Sequence, residues 1–509
     1  MGGGLSMVNF FSTYLQTVVD TETILYTGSV TAVKGLMIES LGPRSEIGEI
    51  CTIKNAQNQD ITAEVVGFDG TTVKLMAYGE TKGIMAGCTV TGSGKVLQVP
   101  VGYKMLGRVV DAIGRPIDGK GPLETVQHYP VMCPAPDPYS KMDVNKRIVT
   151  GVRAIDSLLA CGKGQRLGIF AGSGVGKSSL LSMIARNTNA DINVIGLIGE
   201  RGREVMEFIK RDLGEEGMRR SVVVVATGAD SSLCRMRAAF TTTTIAEYFR
   251  DQGKDVMLMM DNVTRFCHAQ REIGISIGEP PTQSGYPASV WDMLPKLLER
   301  TGTNDKGTIT AFYTVLVDGD DMNEPVTDKV RGTVDGHIVL SRRLAQERHF
   351  PAIDIMASIS RCSDYVTGPE TAKAVDKIRK QIAIFDQNKD MINAGVYQKG
   401  NSAEIDESID NHMAIENFLI QSKADQCDIN STLKQLAEVS GIEIPEDEYE
   451  EDAAKELKTT AELVHEAKVA SIENANELSL ESDNLNQSPS LSDAAAAINL
   501  LGGVSPQKF

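Results

Sequence analysis

Hydrophobic and polar positions change rhythm several times along this chain, and each change marks a different kind of element. Residues 7–20 carry Val8, Phe10, Phe11, Tyr14, Leu15, Val18 and Val19 at a spacing that gathers them largely on one helical face. This predicts an N-terminal helix within residues 1–23, packed on its own first domain or docked on a partner or membrane surface. From 24 to 98 the runs shorten to strands such as 28–33, 51–53 and 72–76, parted by Gly, Asn and Asp turns, which predicts a small β-barrel. From 99 to 365 strands alternate with helices, with candidate strands at 166–171, 193–198, 221–226, 255–260 and 308–317. The run Ser221-Val222-Val223-Val224-Val225-Ala226 is continuously apolar, as expected of a parallel sheet covered by helices on both faces. Residues 366–440 are polar and helical, and 441–509 begin an acidic stretch around Glu446–Asp452 that predicts a disordered tail with transient helix, either solvated or a partner-binding arm.

The most informative eight residues are Ala171-Gly172-Ser173-Gly174-Val175-Gly176-Lys177-Ser178. An apolar run precedes them, and a helically spaced segment beginning at Ser179 follows. Strand, glycine-rich turn and helix together are the setting in which a phosphate-binding loop is credible. Glycines let backbone N–H groups converge on a phosphate without Cβ clashes, and the helix N-terminus adds the positive end of its dipole. Lys177 would reach the β- and γ-phosphates of ATP, and the Ser178 hydroxyl would ligate Mg²⁺. The expected fold class is therefore α/β: a P-loop NTPase core with a mostly parallel sheet, preceded by the barrel and followed by a helical C-terminal domain.

Composition narrows the partners. The 509 residues carry a net charge of −17, and 441–509 alone hold fifteen acidic against four basic residues. No basic track for nucleic acid is implied. No apolar run approaches the ~18 residues of a membrane span, and no secretory leader pattern opens the chain. Eight scattered cysteines include no Cys-x-x-Cys pair, which suits reduced thiols in the cytoplasm.

Three features turn a phosphate cradle toward hydrolysis. The apolar run 256–260 ends in Asp261, placed to hold a water on the magnesium ion. Glu200 follows the strand 193–198, at the carboxyl edge of the sheet where ligands sit, and would polarise the attacking water. Phosphoryl transfer also gains about 10³–10⁵ in rate from an arginine on the γ-phosphate. Arg265 could supply it within the chain, and Arg361, late in the domain, could supply it to a neighbour.

Residues 168–181, 199–205, 249–261, 278–281, 285–287 and 335–342 together resemble the ATPases of bacterial type III export systems, relatives of the catalytic subunit of rotary ATP synthases. The likeness covers about 24–430, and 390–395 with Lys399-Gly400 is most similar to the flagellar branch. The resemblance implies roles for Gly172, Ser173, Gly174, Val175, Gly176, Lys177, Ser178 and Ser179 on the phosphates, and Ser178 with Asp261 (through water) on Mg²⁺. It implies Glu200 as catalytic glutamate, Arg265 near the γ-phosphate, Arg361 as a finger reaching the next subunit, and Phe350 beside adenine. It further implies a homohexamer at the cytoplasmic face of the inner membrane. Its partners would be a stator protein at the N-terminal region, a central stalk and chaperone–substrate complexes at the C-terminal domain, and an export gate. An injectisome ATPase and a rotary synthase subunit are the alternatives, the latter because Asn262 stands where export ATPases commonly have Ser.

Overall fold

The computed structural model describes residues 26–125 and 127–450. The expected N-terminal helix and residues 451–509 of the expected tail lie outside them. Strands β1 (Thr27–Lys34), β2 (Met37–Leu41), β3 (Glu49–Lys54), β4 (Asp60–Asp69), β5 (Thr72–Ala77) and β6 (Thr89–Val96) close into an antiparallel barrel in the order β1-β2-β5-β4-β3-β6. Alternation does the sorting: along β3, Cys51 and Ile53 turn inward while Thr52 lies between them, and Ile38, Val65, Leu75 and Val90 complete a buried interior. Closure leaves no free strand edge.

The central sheet is built from β7 (Val109–Val110), β8 (Arg166–Ala171), β9 (Ile192–Glu200), β10 (Ser221–Thr227), β11 (Asp255–Asp261), β12 (Thr308–Leu316), β13 (Gly336–Leu340) and β14 (Ile353–Ser360). Their spatial order is β14-β13-β8-β12-β11-β9-β10-β7, and a short ninth strand pairs with β12. All neighbours along that order are parallel except β13 and β14, which run antiparallel. The continuously apolar β10 is buried from Ser221 to Ala226, because helices cover both faces. Helix α1 (Lys177–Asn187) follows the glycine-rich turn, α2 (Ser232–Asp251) lies almost wholly buried, and α3 (Val263–Ile277) follows β11.

Helices α4 (Pro369–Asn393), α5 (Ala403–Leu419) and α6 (Ile429–Ser440) form the C-terminal region. The expected start of the acidic tail at 441 needs correction. Ile444 is buried, and Glu448 accepts hydrogen bonds from the backbone N–H groups of Glu370 and Thr371, both at 2.8 Å. A carboxylate satisfies the free amides at the start of α4 and complements the positive end of its dipole. Glu448 is thus a helix cap and not solvated tail.

One buried ionic contact ties barrel to core. Arg237 of α2 donates to Glu64 of β4 through Nε at 3.0 Å and through Nη2, and the Tyr78 hydroxyl donates to the same carboxylate. Glu64 is 1% exposed and Arg237 7%. Removing one member strands a charge in a dry interior. Arg237→Leu should lower unfolding free energy by about 3–5 kcal/mol in a denaturant titration, whereas a loss under about 1 kcal/mol would show the contact to be dispensable.

Candidate active site

Every element of the site meets at the carboxyl edge of the parallel strands. β8 ends at Ala171, and the chain turns with Gly174 at φ 80° and Gly176 at φ 100°, left-handed conformations that side chains resist. Gly172 is required for space: a Cβ there would lie 2.5 Å from Asp320 Oδ1 and 2.6 Å from Arg342 Nη2. Those two residues form an ion pair, Arg342 Nε to Asp320 Oδ2 at 2.9 Å, and Arg342 Nη1 also reaches the Ser173 carbonyl at 3.4 Å. Gly176 caps α1, so Lys177, Ser178 and Ser179 begin the helix. Ser173 and Gly174 are exposed, Val175 is buried, and the Ser178 residue is exposed.

Lys177 Nζ lies 2.5 Å from Asp261 Oδ1 and 3.7 Å from Glu200 Oε1. Asp261 ends β11 and is also held by the Thr314 hydroxyl of β12 at 2.7 Å. Glu200 ends β9 one residue after Gly199, whose φ is 71°. The Asn262 amide donates to Glu200 Oε1 at 2.8 Å, while its Oδ1 accepts from the Arg265 backbone N–H and caps α3. One short segment therefore places a carboxylate on the lysine, an amide on the second carboxylate and the start of a helix.

Electrostatics follow from this packing. Burial alone would lower the pKa of Lys177, but Asp261 and Glu200 outweigh it and hold the ammonium charged. Burial and the Asp261 charge raise the Glu200 pKa, against Lys177 and the Asn262 hydrogen bond, which lower it. A carboxylate with raised basicity beside a polar pocket is suited to taking a proton from water. Ser178, Glu200 and Asp261 line one small pocket of about 110 Å³, and their hydroxyl and carboxylate oxygens are the hard donors a magnesium ion prefers.

Arg265 packs its side chain on Gly199: a Cβ there would sit 2.8 Å from Arg265 Cβ and 2.9 Å from its Cγ. Its Nε is buried and makes no hydrogen bond with the described residues. Phe350 is 37% exposed and borders a cavity of about 460 Å³ with Gly174, Gly176, Ser179 and Leu180. Gln421, Ser422 and Lys423, from the connection between α5 and α6, close the same cavity. Sequence reasoning missed these three, together with Thr314, Asp320 and Arg342. Thr314 carried no signal of its own, because the same strand also holds Thr308, Thr310 and Tyr313.

Arg361 stands apart. It is exposed, and its N–H donates to the Asp335 carbonyl at 3.1 Å, while Asp335 N–H donates to the carbonyl of Arg166, the first residue of β8. Because β14 runs against β13, Ser360 pairs with Gly336, whereas Leu340 pairs with Ala171 at the phosphate-loop end. Arg361 therefore lies at the amino edge of the parallel strands. The five-residue rise of β8 puts it about 17 Å from the loop, beyond the reach of its own side chain.

Residues 151–360 match the nucleotide-binding domain of the ATP synthase alpha/beta family, 30–94 match that family's beta-barrel domain, and 367–438 match the T3SS EscN ATPase C-terminal domain. A flagellum-specific ATP synthase from Treponema pallidum is 51% identical over 84% of this chain and 95% of its own. The assembled ATPase EscN of the enteropathogenic E. coli type III secretion system is 43% identical, with a TM-score of 0.78 over 81% of this chain and 100% of that one. EscN in complex with its central stalk EscO matches with a TM-score of 0.76, 43% identity and the same coverage.

The Asn262 contact makes the Glu200 titration testable. Its amide favours the ionised carboxyl, so Asn262→Ala should move a Glu200 pKa already above the ordinary glutamate value of 4.5 still higher. On acidification the carboxylate should then be lost at a higher pH than in the parent. Isotope-edited infrared titration of the glutamate carboxyls reads this directly, and a shift to lower pH would contradict the assignment.

Proposed function

This chain belongs to the ATP synthase alpha/beta family, in its type III export ATPase branch, and from that premise we propose how it cleaves ATP and what the cleavage serves. It is an ATPase. The stronger identity to a flagellum-specific relative, 51% against 43% for EscN, favours protein export through the flagellar apparatus.

In the proposed mechanism the amides of Gly172–Gly176 and the Lys177 ammonium hold the β- and γ-phosphates. Ser178 and Asp261, the latter through water, would hold Mg²⁺, which supplies positive charge to the phosphate oxygens. Glu200 accepts the proton of the attacking water, and Asn262 fixes its orientation. Arg265 sits beside the Glu200 turn and faces the γ-phosphate. Phe350 packs against the base in the cavity that Gln421–Lys423 closes. Arg361 serves the site of an adjoining copy, and the observation carrying this reading is its place at the edge of the sheet opposite Lys177.

Active sites completed across a boundary make a closed ring the natural assembly, and a homohexamer is the form proposed. The C-terminal region, with Met391, Val396 and Met413 open to solvent, would meet a central stalk and chaperone–substrate complexes, and the N-terminal region a stator. Among the described residues no helix is long and apolar enough to cross a membrane. The proposed location is the cytoplasmic face of the inner membrane, beside an export gate.

Paired substitutions test the two halves of the site. Glu200→Gln should lower kcat by about 10²–10⁴ while ATP still binds. Arg361→Ala should cost about 10³–10⁵ in kcat and likewise spare binding. Turnover near the parent in either variant contradicts the role given to that residue.

A further inference from the structure

The far end of the phosphate-loop helix is held by a cation. Helix α1 has eleven residues and is about 16 Å long, and its last carbonyls face the protein interior. Arg220, 5% exposed, donates Nη1 to the carbonyls of Thr188 at 2.7 Å and Ala190 at 3.0 Å, and Nη2 to those of Ala185 at 2.9 Å and Arg186 at 2.7 Å. A guanidinium placed on the final carbonyls of a helix meets the negative end of its dipole. Burial lowers the Arg220 pKa to about 10, with Glu216 and Asp191 acting the other way, so the side chain remains charged near neutrality.

The same residue grips the strands. Its carbonyl accepts the Asn193 N–H at 2.8 Å at the start of β9, and Arg220 directly precedes β10. Asn193 adds a second tie, Nδ2 to the Ala185 carbonyl at 2.8 Å. Helix α1 carries Lys177 and Ser178 at its other end, and β9 carries Glu200 at its other end. One buried residue thus fixes the two bodies whose far ends make up the site.

We propose that Arg220 is a positioning residue for ATP hydrolysis: by clamping the C-terminal end of α1 to the start of β9 and β10, it sets the axial register between the phosphate-binding residues and Glu200. The inference rests on the ATPase reading. The phosphate loop and the cavity wall that Ser179, Leu180 and Met183 form belong to α1 or adjoin it, so loosening the clamp displaces them together. Nucleotide affinity is then largely kept, while the alignment of phosphate against the water held by Glu200 is lost.

The test measures kcat and KM for ATP in Arg220→Gln and Arg220→Lys, with thermal unfolding of each as a check on folding. A misplacement of this kind lowers kcat of Arg220→Gln by about 10- to 100-fold. KM should stay within about 3-fold of the parent, and Arg220→Lys, which keeps the charge with fewer donors, should recover part of kcat. The proposal is overturned if folded Arg220→Gln turns over within about 2-fold of the parent, or if KM rises in step with the loss of kcat. It is equally overturned if the lost activity matches the unfolded fraction. Should Arg220→Gln fail to fold, Arg220→Lys decides alone: a lowered kcat at constant KM supports the clamp, and two unchanged constants refute it. Glu200→Gln run alongside separates the two ideas, because full activity there removes the functional reading whatever Arg220 does.

Discussion

Strand direction is the constraint on which everything else depends. Parallel neighbours bring the phosphate loop, Glu200 and Asp261 to one edge of the sheet, because all three follow carboxyl ends. The reversal at β14 carries Arg361 back to the opposite edge. A chain that builds its cradle on one edge and leaves an exposed arginine on the other cannot complete the proposed site by itself. Under the proposed mechanism, the order and direction of the strands thus leave Arg361 to the site of a second copy.

Within the cradle the balance of charge is tight. One ammonium serves two carboxylates, and Asn262 and Thr314 each hold one of them by a neutral hydrogen bond. Partial burial and the neighbouring Asp261 charge raise the Glu200 pKa, and Lys177 sits nearer Asp261, at 2.5 Å, than Glu200, at 3.7 Å. The geometry thus separates the two carboxylates into an anchor and a candidate base. The C-terminal connection at Gln421–Lys423 brings the helical region to the cavity between Phe350 and the phosphate loop.

Much of this was legible in the sequence because the signals are local. The phosphate loop needs glycines within a few residues of one another, Asp261 closes an apolar run, and the central strands show as unbroken hydrophobic segments. The barrel declared itself through short runs rich in Val, Ile and Thr and through the turn residues between them. What escaped is non-local. Glu448 caps α4 from about eighty residues away, Asp320 and Arg342 meet only where the loop after β12 passes the phosphate loop, and Gln421 reaches the cavity through folding of the C-terminal helices. Arg220 is the second of two adjacent arginines, after a charged segment and before the apolar β10, and nothing nearby in the chain marks which carbonyls it will meet.

Complementation between two crippled chains tests the shared site most directly. Glu200→Gln retains Arg361, and Arg361→Ala retains Glu200, so a mixed assembly contains boundaries at which both residues are intact. Each variant alone should be nearly inactive, and mixing them, after dissociation and reassembly, should restore ATP hydrolysis well above the sum of the separate rates. A mixture that assembles yet hydrolyses no faster than its components would contradict the sharing of a site between neighbouring copies.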